Sequence, residues 1–216
     1  MNSVRAVTVL VHGLWMHGMA MELQRRFLAR MGFEVICYSY PTVRYTLTEN
    51  TRRLARFARS LAVPGIHWVG HSLGGVVILQ LLESEPALPP GRVVLLGVPC
   101  RGSHAGRVLA ANFMGARALG HTVREWLDTP ISGSFPGREI GCLAGSLGLG
   151  LGRVVARGLP LPHDGTIAVA ETELAAACDR IVLPVSHTGM LWSRSVAHQT
   201  GAFLHDGRFD HGRVKI

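Results

Sequence analysis

Short runs of β-branched and apolar residues alternate along this chain with stretches of helical spacing. The strand-like runs are VRAVTVLVH (4–12), FEVICYSYP (33–41), IHWVG (66–70), GRVVLLGVP (91–99), REIGCLAGS (138–146) and DRIVLPVSH (179–187). Continuous apolar strands are buried on both faces, and parallel neighbours need crossover connections, usually helices. The alternation therefore predicts an α/β fold with a mostly parallel central sheet of about six strands and helices on both faces.

One segment interrupts this rhythm. Residues 101–137 contain two helix-like pieces, HAGRVLAANFMGARAL and HTVREWLD, inserted between two strands. We expect a small cap or lid there. The 216-residue chain shows no repeat, low-complexity linker or second core, so we predict a single α/β domain over residues 1–216.

The chain is basic, with 22 Lys and Arg against 14 Asp and Glu, a formal net charge of +8 and a pI near 10.3. A positive field attracts polyanions. Nearly all the basic residues are arginines dispersed along the chain, however, and no aromatic-interleaved RNA motif accompanies them. We therefore expect a solvated arginine-rich surface and no nucleic-acid partner.

The cysteines and the amino terminus bear on the compartment. The cysteines are scattered, without CxxC pairs or metal-finger spacing, which is typical of free thiols in a reducing compartment. The opening MNSVRAVTVL lacks the long apolar region of a signal peptide, and no apolar stretch reaches the length of a membrane-spanning helix. We predict a cytoplasmic protein without a transmembrane segment.

A serine between glycines follows the third strand-like run. The segment GHSLG (70–74) fits the G-x-S-x-G pattern, with IHWVG before it and the helical pattern LGGVVILQLLESE after it. In that setting the glycines permit a sharp turn with Ser72 exposed at its tip, and the helix N-terminus favours developing negative charge. An N-cap serine in a glycine-rich corner is the alternative. The order strand, turn, helix favours a nucleophile.

A second motif supplies backbone donors. In VLVHGLW the HG pair ends the first strand and leaves the Leu14 N–H free to point into the site. Acyl transfer develops charge on a carbonyl oxygen, and two N–H groups stabilise it, which predicts an oxyanion hole formed by Leu14 and Leu73. A plain strand-ending turn is the alternative. Trp15 and Met16, just after this turn, are candidates for lining an acyl pocket or for ordinary packing.

Together these motifs resemble the α/β-hydrolases, specifically the compact bacterial lipase and esterase branch that carries HG, GHSLGG and a late D-G and H. The resemblance runs from VLVHG to SHTGM, and GHSLGG is its most specific part. The segment GVPCRGSHAG is similar to the P-x-x-G-S loop that these lipases place beside the site. The resemblance implies an α/β-hydrolase fold and ester chemistry, but no particular substrate.

The catalytic base is expected late in the chain, because the fold's chain order is Ser, then Asp or Glu, then His. His187 follows the last strand-like run and precedes a helix-like stretch. Reacting groups gather at the carboxyl ends of parallel strands, so we predict His187 as the base. His198 and His205 lie away from the strand ends, and His104 is a rival only if the cap loop folds inward.

The predicted acid is Asp164 in LPHDGTIAV. It lies in a Pro- and Gly-marked loop after the fifth strand-like run, where the resemblance places the D-G acid. Its role is to hold the imidazole in the useful tautomer and to stabilise the imidazolium. An ordinary aspartate turn is the alternative, and Asp128 in the cap segment is the fallback acid. The family more often has a small polar residue before this acid, whereas this chain has His163.

Two further patterns are predicted to carry no chemistry. AGSLG (144–148) imitates the nucleophile motif, but glycine-rich residues follow it in place of a periodic helix, so Ser146 is not expected to be a nucleophile. GLGLG (148–152) lacks the first-strand position and the downstream acid of a dinucleotide loop. The histidines form no paired ligand spacing such as HExxH, so we predict no cofactor and no metal site.

The residues thus predict a serine hydrolase that cleaves carboxylic esters through an acyl-enzyme, with Ser72, His187 and Asp164 as its triad. The short insertion favours a partly open site for short or medium acyl chains of a small-molecule or lipid ester. Two alternatives stay open. The same triad serves an acyltransferase or thioesterase, for which an acidic acyl carrier would be a partner. A non-catalytic binding protein would keep the fold without the chemistry.

Overall fold

Six strands form one sheet in the computed structural model, which describes residues 6–129, 131, 133–149 and 158–213. The strand order is β2-β1-β3-β4-β5-β6, and each of these pairings is parallel. Five strands fall within the strand-like runs and β3 extends one residue beyond its run, which confirms the predicted parallel sheet. Their bounds are β1 (Val7–Val11), β2 (Glu34–Tyr38), β3 (Ile66–His71), β4 (Val93–Leu96), β5 (Ile140–Gly145) and β6 (Asp179–Leu183).

Helices connect and follow these strands. None of those in the described ranges is long and apolar enough to cross a membrane. Short 3-10 turns occupy Gly18–Met21, Val169–Thr172, Gly189–Leu191 and His211–Arg213. The α-helices are α1 (Glu22–Arg30), α2 (Leu47–Ser60), α3 (Leu73–Ser84), α4 (His104–Ala110), α5 (Phe113–Asp128) and α6 (Arg194–Asp206).

The apolar core has two layers, one on each face of the sheet. Along β1 the side chains alternate, so that Val9 and Val11 belong to the layer with α2 and α3, whereas Leu10 belongs to the layer with α1 and α6. The interior strand β1 is buried throughout, while the edge strands β2 and β6 are partly exposed. Burial on both faces explains the largely apolar sequence of β1.

The start of α3 is pressed against the strands. A Cβ atom at Gly74 would collide with the carbonyl oxygens of Val11 and His12, and one at Gly70 would collide with the backbone of Gly75. Glycine at these positions lets the helix begin directly at the carboxyl edge of the sheet. This close approach fixes the position of the turn that precedes α3.

Helices α4 and α5 lie over the same edge and come from the segment that the sequence predicts to be a cap. The helical conformation of α5 is interrupted at Gly120, with φ 72° and ψ −173°. Beside this interruption, the His121 N–H donates to the Val43 carbonyl at 2.9 Å. The Trp15 Nε1–H donates to the Ala118 carbonyl at 2.8 Å. These two bonds join α5 to the loops that follow β1 and β2.

Candidate active site

Ser72 forms the turn between β3 and α3. Its φ of 53° and ψ of −126° lie in a conformation that non-glycine residues rarely adopt and that costs energy. The Ser72 N–H donates to the Leu96 carbonyl at 3.0 Å, which ties the turn to the end of β4. The hydroxyl makes no capping hydrogen bond to α3. The side chain therefore does not serve as the ordinary helix cap that the sequence left as an alternative.

A buried carboxylate and a buried imidazole meet beside this turn. His187 Nδ1 lies 2.7 Å from Asp164 Oδ2, and the Asp164 side chain is only 1 % exposed. Because a carboxylate accepts at this distance, we assign the proton to Nδ1, which leaves Nε2 unprotonated. That tautomer is the one that a general base requires.

The loop after β5 holds Asp164 in place. Its Oδ1 accepts hydrogen bonds from the N–H groups of Thr166 at 2.9 Å and Ile167 at 2.7 Å. Its backbone carbonyl accepts from the His187 N–H at 2.8 Å. A Cβ at Gly97 would lie 3.1 Å from Asp164 Oδ2, so glycine after β4 leaves room for the acid–imidazole pair. The carboxylate is thus fixed on both oxygens.

Ser72 and His187 line one cavity of about 350 Å³ at the carboxyl edge of the sheet. Within the described chain, no hydrogen bond joins Ser72 Oγ to the His187 ring, whose bond to a side chain goes to Asp164. Catalytic hydrogen bonds are often long before substrate binds. The predicted nucleophile and base therefore line the same cavity without a hydrogen bond between their side chains. Other lining residues are Leu14, Trp15, Met16, His71, Ala105, Leu109, Thr166 and Thr188.

A second cavity of about 110 Å³ lies under the cap and shares Ser72 and Leu109 with the first. Leu119, Val123 and Trp126 of α5 form its buried wall. A group attached to Ser72 would therefore meet apolar side chains on its cap side.

The HG turn after β1 is held by buried groups. The Tyr40 hydroxyl donates to the His12 carbonyl at 3.1 Å, and the Tyr40 N–H donates to His12 Nε2 at 3.3 Å. Burial lowers the pKa of His12, which favours its neutral form. Leu14 and Leu73 line the cavity of about 110 Å³ under the cap, and among the described residues neither backbone N–H donates to a backbone carbonyl.

The alternative acids and bases lie elsewhere in the fold. Asp128 is exposed at the end of α5, and His205 near the end of α6 bonds Asp206 at 2.7 Å. His104 begins α4, and His198 lies within α6. None of these four lines either cavity that contains Ser72.

AGSLG, one of the two patterns predicted to carry no chemistry, overlaps the end of β5. Ser146 follows β5, and its hydroxyl donates to the Leu183 carbonyl at 3.2 Å, which ties it to the neighbouring strand. No helix begins within residues 146–149. The last three residues of GLGLG, 150–152, lie outside the described residues.

The family follows from the sequence as a whole. Residues 8–206 match the model of a family described as the alpha/beta hydrolase family. The chain belongs to the α/β-hydrolase family. Among curated proteins, none matches its sequence. Family membership supports a hydrolase activity and agrees with the resemblance that the motifs carry.

Solved structures share the fold at low identity. The mature lipase BlEst2 of Bacillus licheniformis is 17% identical, with a TM-score of 0.70, covering 94% of this chain and 92% of that one. The pyrethroid hydrolase PytH is 15% identical, with a TM-score of 0.67 and coverages of 94% and 98%. A hydrolase from Pseudomonas aeruginosa PA01 is 18% identical, with a TM-score of 0.64 and coverages of 87% and 84%. These similarities establish the α/β-hydrolase fold of this chain.

His71, the residue before Ser72, takes part in the site although the sequence motif leaves its identity open. It is fully buried, and its Nε2 lies 3.0 Å from the His187 carbonyl, to which it donates. Burial, and then the neighbouring His187, lower the pKa of His71 to about 3. A neutral His71 thus supports the loop that carries the imidazole of His187. The position before the serine in G-x-S-x-G is open to any residue, so no local pattern could have identified this contact.

Replacing His71 with glutamine is expected to flatten the pH dependence of stability. A histidine in the unfolded chain titrates near 6.5, whereas His71 in the fold titrates at about 3. Between these values the unfolded chain binds the extra proton, so the wild type loses stability as pH falls through this window. Glutamine cannot bind it, so the slope of unfolding free energy against pH should fall by up to about 1.4 kcal/mol per unit. Urea unfolding at several pH values measures the slope.

The matched control for this experiment is Ser72→Ala, which alters the adjacent residue and removes no titrating imidazole. It should keep the wild-type slope. A slope in His71→Gln equal to that of the wild type would show that His71 is not buried as a neutral imidazole.

Proposed function

We propose that this α/β-hydrolase cleaves carboxylic esters with Ser72 as its nucleophile. The single observation that supports the proposal best is the buried Asp164–His187 hydrogen bond of 2.7 Å, on a cavity that Ser72 also lines. A serine hydroxyl is a weak nucleophile until a base takes its proton. The hydrogen bond to Asp164 orients the His187 imidazole as such a base, and the strained turn at Ser72 puts the hydroxyl on the same cavity.

In the proposed mechanism, His187 Nε2 accepts the hydroxyl proton as Ser72 Oγ attacks the ester carbonyl carbon. The carbonyl electron pair moves to oxygen, which accepts hydrogen bonds from the Leu14 and Leu73 N–H groups. The imidazolium then gives its proton to the leaving alkoxide oxygen, the ester C–O bond breaks, and an acyl-serine remains. Water attacks that acyl group with His187 again as base, which releases the acid and restores Ser72.

The proposed roles contribute differently to the rate enhancement. Asp164 would fix the Nδ1–H tautomer and stabilise the imidazolium without accepting the proton, a role worth about 10⁴-fold in kcat in serine proteases. Each oxyanion donor contributes on the order of 10²- to 10³-fold. Both proposed donors are backbone N–H groups, so substituting a side chain does not remove them. Substitution of Ser72 is therefore the most direct test of the mechanism.

A fluorophosphonate probe should label the wild type at Ser72. The variant Ser72→Ala should take up no label and lose turnover of an activated ester by about 10⁴-fold or more, because no acyl-enzyme can form. Mass spectrometry locates the label, and circular dichroism checks that the variant is folded.

Ser146→Ala is the matched control, because Ser146, like Ser72, is followed by Leu and Gly, but it donates its hydroxyl to the Leu183 carbonyl. It should keep both label and turnover. Loss of labelling in Ser146→Ala, or full turnover in Ser72→Ala, refutes the proposal.

The dimensions of the cavities favour short or medium acyl chains. The cavity of about 110 Å³ under the cap is lined mostly by apolar side chains, among them the buried Trp126. Its volume is about a third of that of the neighbouring cavity of about 350 Å³, so it would hold a shorter part of an acyl chain than that cavity. A long acyl chain would have to leave through the opening of the larger cavity.

Butyrate and hexanoate esters of p-nitrophenol should therefore give higher kcat/KM than acetate or palmitate esters. Leu109→Trp fills the space shared by both cavities and should lower kcat/KM for hexanoate by about 10-fold or more, with a smaller effect on acetate. The control is Leu23→Trp on the exposed side of α1, which should change neither. A maximum at palmitate in the wild type contradicts the assignment.

A further inference from the structure

The cap carries a distinct charge pattern on its outer surface. Between Glu85 and Glu125 the sequence contains no Asp or Glu, while it contains several arginines. Arg44, Arg117 and Arg124 line a surface groove of about 600 Å³, and no carboxylate lines it with them. None of the three forms an ion pair with a described carboxylate. The nearby Glu125 accepts hydrogen bonds from the N–H and hydroxyl of Thr48 instead.

Large apolar side chains project from the same surface. Phe113 and Met114 at the start of α5 are 77% and 73% exposed, and Phe113 lines the arginine groove. Trp15 is 57% exposed and bonds the Ala118 carbonyl of the same helix. We call Trp15, Arg44, Phe113, Met114, Arg117 and Arg124 the cap face. Exposed aromatic side chains beside uncompensated arginines are typical of helices that lie at a membrane interface.

The cap face adjoins the proposed catalytic cavity at Trp15. Trp15 lines both the cap face and the cavity that contains Ser72. In α5, Leu119 and Val123 line the cavity of about 110 Å³ under the cap, whereas Arg117 and Arg124 line the outer groove. One helix therefore separates an apolar interior cavity from a cationic exterior.

We propose that the cap face docks on a surface of anionic phospholipids. The guanidinium groups of Arg44, Arg117 and Arg124 pair with lipid phosphates, and the Phe113 and Met114 side chains enter the acyl region between headgroups. The protruding Phe113 and Met114 side chains favour a lipid surface over an acidic carrier protein, because a lipid surface offers an acyl region for them as well as phosphates for the arginines. Docking does not depend on Ser72. That it delivers an ester to the cavity rests on the proposed function.

Vesicle co-sedimentation tests the docking with the full chain carrying Ser72→Ala, so that no lipid is cleaved. The protein should bind vesicles of mixed phosphatidylcholine and phosphatidylserine, and bind pure phosphatidylcholine far more weakly. Each arginine near an anionic surface contributes about fivefold in partitioning. Arg117→Glu with Arg124→Glu should therefore weaken binding by about 25-fold or more, and added salt should weaken wild-type binding. Phe113→Ser with Met114→Ser should also weaken it.

The matched control is Arg30→Glu with Arg208→Glu, which makes the same change in net charge. Arg30 is the last residue of α1, and Arg208 follows α6. These two helices pack on the face of the sheet opposite α2 and α3. This control should keep at least half of the binding. Equal losses in both charge-reversal variants would mean that net charge alone attracts the protein, and would overturn the cap face as the site.

Two further results would also overturn docking on lipid. One is equal binding to neutral and anionic vesicles. The other is a dimer that is lost in Phe113→Ser with Met114→Ser while vesicle binding is unchanged, which would make a second copy the occupant. The same double serine variant should keep wild-type turnover of soluble p-nitrophenyl butyrate, since neither residue lines the catalytic cavity. Vesicle binding without fluorophosphonate labelling of the wild type would refute the proposed function and leave the docking intact.

Discussion

The close approach of α3 to the sheet is the constraint on which the site depends. Because Gly70 and Gly74 have no side chain, α3 begins directly at the ends of the strands. The chain therefore turns sharply at Ser72. Such a backbone conformation costs about 1–3 kcal/mol. Burial of nearly all of α3 in the core offsets that cost. The result is a hydroxyl that projects from the turn without capping its helix.

A second set of contacts brings distant parts of the chain to this turn. The Asp164–His187 bond joins the loops that follow β5 and β6, and a buried carboxylate is stable only when it is paired or hydrogen-bonded. His71 links the loop of His187 back to the turn of Ser72. The cap then encloses the site, with the apolar side of α5 on the cavity and its arginines outside. The proposed ester cleavage and the proposed lipid docking therefore use opposite sides of α5.

The sequence predicted the sheet, because apolar runs of strand length and helical spacing follow directly from burial on both faces. It also identified Asp164 and His187, which the structure brings together, although their roles remain predictions, as do the single domain and the cytoplasmic location. It did not indicate the His71 contact, the interruption at Gly120 or the Trp15–Ala118 bond. These depend on residues far apart in the chain, and local spacing contains no information about which distant backbone group a side chain will meet.

In the proposed mechanism, Ser72 Oγ, the His187 imidazole and the two N–H groups of Leu14 and Leu73 converge on one tetrahedral centre. A crystal structure of the fluorophosphonate adduct measures this directly. We expect phosphorus bonded to Ser72 Oγ, one phosphonyl oxygen within hydrogen-bond distance of both N–H groups, and His187 Nε2 on the opposite side of the phosphorus. An adduct whose phosphonyl oxygen points away from both N–H groups would contradict it.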